Sequence, residues 1–108
     1  MRVTFWAECG SSGLIVEHDG GKLCHVTSHP SGDAAADAAV IELATGVDLL
    51  IFPGPWEQGL ALKQFAGAKL LALANPVDAC ADIGAVAERI AKKSSNVFFA
   101  QRKMSLDL

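Results

Sequence analysis

The sequence specifies a mixed α/β fold, with an antiparallel start followed by alternating helices and strands. Three observations carry this reading. Short β-branched and aromatic runs joined by glycine turns fill residues 2–28. Asp33, Pro55 and the "NP" pair at Asn75–Pro76 stand where helices begin. Between them, "VDLLIF" and "AKLLALA" are short and almost wholly apolar, as parallel strands covered on both faces are.

The elements follow in order. "RVTFWA" (2–7) reads as the first strand and "CGSSG" (9–13) as a tight turn. "LIVEH" (14–18) and "KLCHVTS" (22–28) pair as a hairpin through "DGG", whose glycines supply positive φ. "HPSG" then breaks the chain. Asp33 caps a helix that stops at Gly46, and "VDLLIF" (47–52) follows as a strand. "PGP" leads into the helix "WEQGLALKQFAG", with Pro55 near its first turn. "AKLLALA" (68–74) is the next strand. Asn75 caps a helix running from Val77 to Lys93, with an apolar stripe at Ile83, Val86, Ala87 and Ile90. "NVFFAQ" (96–101) adds an edge strand. The expected succession is β-β-β-α-β-α-β-α with a C-terminal edge strand, one domain over 1–101 and a tail at 102–108.

Composition narrows the function classes. The chain has 51% hydrophobic and 19% charged residues, which is globular. Its mean hydropathy of +0.31 owes much to alanine. No apolar run approaches the roughly 18 residues of a spanning helix, and the first residues read as a strand rather than a signal segment. A net charge of −3 argues against nucleic acid as the main partner. Three widely spaced cysteines without a CxxC pair read as reduced thiols, so a cytoplasmic location is expected.

The three histidines all lie between residues 18 and 29. Strict alternation places His18, His25 and His29 on one face, with Leu14, Val16, Leu23 and Thr27. His25 and His29, four residues apart, are then roughly 13 Å from each other and share no metal ion. Alanine at either is therefore expected to leave the fold intact. Cys24 reads as a small core residue, and Cys9, in the turn, as exposed. A Ser11, His18 and Asp33 triad can be drawn, but no nucleophile-elbow sequence supports it. "GPWEQGLA" has two glycines at phosphate-loop spacing, yet Leu60 stands where the lysine belongs.

The stretch "GVDLLIFPGPWEQGLALKQFAGAKLLALANPVDACADIGAVAERI" (46–90) resembles the dinitrogenase iron–molybdenum cofactor biosynthesis family, whose small domains have a ribonuclease H-like core. The pattern covers residues 33–90. The resemblance implies a ribonuclease H-like mixed sheet and a small, non-enzymatic accessory domain binding an iron–sulfur or iron–molybdenum type cluster. The family's histidine loop is matched by "VEHDGG", with Glu17, His18 and Gly20 in place but Asp19 and Gly21 where Phe and Arg stand in the family. His18 and Cys9 are the candidate metal ligands. A working ribonuclease H would need carboxylates converging on two Mg²⁺ ions. Only Glu8 and Asp37 are suitably placed, and the fourth strand ends in Pro53 and Gly54.

Ligands of α/β sheets gather beyond the carboxyl ends of parallel strands. "FPGPWE" and "ANPVD" are two such ends, each entering a helix N-terminus. Gly54 for close backbone approach, Trp56 as a cover and Asn75 as a donor are the candidate ligand-binding residues, with an anion as ligand. The alternative is an interaction or structural role, as a homodimer through the alanine-rich helix 33–45.

Overall fold

In the computed structural model the described residues are 1–74 and 96–99. They form β1 (Arg2–Glu8), β2 (Ser11–His18), β3 (Gly21–Ser28), α1 (Ala34–Leu43), β4 (Leu49–Phe52), α2 (Trp56–Ala66), β5 (Leu70–Leu73) and β6 (Val97–Phe99). One six-stranded sheet runs β1-β2-β3-β4-β5-β6, antiparallel through β3 and parallel from β3 onward. The helix expected over 77–93, the Asn75 cap and the tail lie outside the described residues.

Crossovers between successive parallel strands are right-handed, so a sequential order puts their helices on one face. α1 and α2 do pack against each other, and α2 against β5. Gly59 permits that approach, since a Cβ there would sit 2.8 Å from Leu73 Cδ2 and 3.2 Å from Phe52 Cδ2. Beneath the helices run Ile15, Cys24, Leu50 and Leu71 in one row across the sheet. With Val26, Phe52 and Leu73 they form the buried core. The opposite face carries Phe5, Leu14, His25, Ile51 and Ala72 in register.

Both helix starts fall where expected. The Asp33 carboxylate accepts from the Ala35 and Ala36 N–H groups, each at 3.0 Å. α1 ends at Leu43, three residues short of Gly46, because Thr45 Oγ1 and the backbone turn back onto the last carbonyls. Its alanines are not buried on every side. Ala36, Ala39 and Val40 are buried, while Ala34, Ala35, Ala38 and Glu42 face outward.

The strand following "CG" begins earlier than expected. Ser11 is already in β2, opposite Glu8, and only Cys9 and Gly10 form the turn, both at positive φ. The β2–β3 ladder also departs from strict alternation. Gly13 pairs with Val26 but Ser12 pairs with Ser28, so Thr27 is an extra residue on β3. Its hydroxyl donates to the Ser12 carbonyl at 3.1 Å. Such a bulge reverses the faces of everything beyond it.

Candidate functional site

The consequence of the bulge is His29. Strict alternation places it with His18 and His25, on the face away from the helices. One inserted residue returns it to the helix side, opposite Ser11. There its ring is fully buried, 2.8 Å from Ser11 Oγ through Nδ1 and 2.7 Å from Asp37 Oδ1 through Nε2. It meets Phe52 edge-on, with ring centroids 5.3 Å apart. The expected surface position of His29 is therefore corrected.

Hydrogen-bond chemistry fixes the direction of this relay. A carboxylate only accepts, so His29 Nε2 carries the proton it donates to Asp37. In the neutral ring Nδ1 then accepts from the Ser11 hydroxyl, which also lies 3.3 Å from the Ser28 carbonyl. Gln58 Nε2 donates to the same Asp37 Oδ1 at 2.9 Å. Ser11, His29, Asp37 and Gln58 thus tie β2, β3, α1 and α2 together at one end of the sheet.

That end holds the carboxyl termini of β3 and β4, where ligands gather in α/β sheets. The relay resembles a hydrolase triad in composition only. Ser11 is 1% exposed, beyond reach of a substrate, whereas the Asp37 side chain is a third exposed. The accessible end is a carboxylate, a group that can accept hydrogen bonds from a donor. The Ser11, His18 and Asp33 triad, which no nucleophile-elbow sequence supports, is not assembled. The structure keeps Ser11 but supplies His29 and Asp37. His18 is at the far end of β2, and Asp33 is occupied as a helix cap.

The other sequence-derived residues fall as follows. Gly54, at φ 120°, sits in the turn between β4 and α2, on the rim of this end. Trp56 is 7% exposed and belongs to the buried core cluster. Asn75 lies outside the described residues. Cys9 is exposed in the β1–β2 turn at the relay end, where Gly10 approaches Pro30. His18 is at the opposite end, 3.2 Å from Asp19 and largely exposed. The length of β2, roughly 23 Å for seven steps, separates the two ends. Cys9 and His18 therefore do not fit a shared metal ion or cluster. Cys24 is fully buried in the core, and burial pushes its thiol up to about 11, against a smaller opposing effect of Lys22. Among the described residues, no three His, Cys, Asp or Glu side chains gather as a metal site.

Two open grooves, of about 570 and 750 Å³, border the His18 end. Both are lined by the His18–Lys22 turn, and the larger extends to Asp48, Lys69 and Leu70. Asp48 accepts from the Lys22 backbone N–H at 2.9 Å and from Lys69 Nζ at 3.0 Å. These two contacts, the Lys22 N–H first, hold its carboxyl below the usual carboxylate range. Its evident work is to fasten the starts of β3, β4 and β5.

Compared with family models, with curated proteins and with solved structures, the chain matches none. Its functional reading rests on its own residues.

Proposed function

We propose that this domain binds a small polar ligand beyond the carboxyl ends of β3 and β4, with Asp37 as the recognising carboxylate. The observation that carries this is the buried His29. Held by Ser11 at Nδ1, its ring joins the Gln58 amide in holding, through Nε2, a carboxylate that remains a third exposed. Ordering a carboxylate in advance lowers the entropic cost of binding. His29 and Gln58 both bond Asp37 at Oδ1, and Oδ2 is the oxygen this reading assigns to the ligand. The ligand that fits is one presenting N–H or O–H donors, such as an amine or a polyol. The domain is an accessory binding module in this reading, and no catalytic step is assigned to it.

A second reading, an anion or metallocluster at Gly54, Trp56 and Asn75, has one observation in its favour. Pro55, the cap of α2, gives the first turn no side-chain hydrogen bond, as an anion-receptive helix start requires. The carboxylates of Asp37 and Glu57 stand against it, by simple repulsion. What supports a ribonuclease H-like core is the succession of elements. The sequential order of the sheet adds nothing to it, and neither functional reading depends on it.

The test is thermal stabilisation by a panel of amines, polyols, sulfate and phosphate, with Asp37→Asn as the variant. Asparagine retains the Oδ1 acceptor for His29 and Gln58 but replaces Oδ2 with a donor. The proposal expects a donor ligand to raise the melting temperature of the native chain and not of the variant. An equal response in both overturns it. A response confined to sulfate or phosphate, removed by Gly54→Val, establishes the anion reading instead.

A further inference from the structure

Among the described residues β1 is an edge of the sheet, and nothing in its own sequence blunts that edge. Edge strands are commonly blunted by lysine, proline, a bulge or short length. β6, at the other edge, has three residues. β1 has seven, "RVTFWAE", without lysine or proline, and the bulge of this sheet lies between β2 and β3. Phe5 is 77% exposed and Val3 43% exposed, both on the face away from the helices.

The sequence of this strand is complementary to itself when reversed. Placed antiparallel to a second copy and centred on Phe5, Arg2 faces Glu8 at each end. Val3 then faces Ala7, Thr4 faces Trp6, and Phe5 faces Phe5. This register keeps both helix layers on one face of the joined sheet. Centring on Thr4 sets Arg2 against Trp6, and centring on Trp6 sets Glu8 against Thr4, so each leaves charges unmatched. We propose that two copies of this chain pair through β1 in the Phe5-centred register, forming one continuous twelve-stranded sheet. The charge match names the occupant as a second copy. Opposite charges and aromatic pairs directly across strands are favourable, and like charges are not. Each copy has one such edge, so the pairing closes at two.

Sedimentation of the full chain over a range of concentrations tests this, with circular dichroism confirming each variant's fold. A reversible dimer is expected. Phe5→Lys, at an exposed position, abolishes it by setting two ammonium groups face to face. Glu8→Arg places arginine opposite Arg2 at both ends and raises the dissociation constant about tenfold or more. It is the cleaner single change, because Arg2 also faces Glu17 within its own chain. Adding Arg2→Glu to Glu8→Arg restores the pairing with charges exchanged. A monomer at all concentrations, an assembly growing beyond two, or a dimer indifferent to Phe5→Lys overturns the proposal; the last places the contact elsewhere, as on α1. Failure of the exchanged pair to recover affinity overturns the register.

Discussion

His29 Nε2 lies 2.7 Å from Asp37 Oδ1, with the ring fully buried and the carboxylate a third exposed. A buried imidazole held at both nitrogens is costly to remove. Its loss removes one partner each from buried Ser11 Oγ, which keeps only the long 3.3 Å contact to the Ser28 carbonyl, and from Asp37. It also opens a void beside Phe52, whose side chain is completely buried.

His29→Ala is therefore expected to destabilise the fold by about 2–4 kcal/mol. His25→Ala, half-buried on the opposite face, should cost less than about 1 kcal/mol. Urea unfolding at neutral pH compares the two directly. Equal small losses would show that the Thr27 bulge does not direct His29 inward.

The thiols should separate by reactivity. In a Cys80→Ser background, exposed Cys9 is expected to react with a disulfide reagent at pH 8 while the chain is folded. Cys24 is fully buried, and with its thiol pushed up to about 11 only on the order of one in a thousand is thiolate at that pH. It should react at the rate of global unfolding, and quickly in denaturant. Two fast thiols in the folded chain would place Cys24 outside the core.

Asp48 sets an acid limit. Its carboxyl is held down in the folded chain by the Lys22 N–H and then by Lys69. A lowered folded value means the stabilisation is complete above the unfolded value, about 3.9, and is lost as pH falls through the folded one. Asp48→Asn should therefore be less stable than the native chain at neutral pH, with the gap closing under acid. Chemical unfolding at pH 7 and pH 3 measures it. A gap of constant size would show that the Asp48 charge has no part in joining β3, β4 and β5.

The elements were legible where their causes are local. Asp33 caps α1 because its carboxylate reaches the Ala35 and Ala36 N–H groups, and Pro55 stands immediately before α2, as its extended cap. Leu50, Phe52, Leu71 and Leu73 declare buried strands by composition. Cys24 reads correctly as core because the alternation from Leu14 to Val26 is unbroken. The relay depended on a non-local event. Whether Thr27 is accommodated as an extra residue is decided by how β3 fits β2, and one residue's slip exchanges the faces of all that follow. His29 therefore looked like a surface residue in sequence, and only the packed sheet turned it toward Ser11, Asp37 and Gln58. The burial of Trp56 was not legible for a related reason. Its position at a helix start is local, but whether its indole faces a ligand or the core is settled by α2 lying against β4 and β5. Periodicity along the chain determines the elements, whereas pairing between them determines which side chains meet.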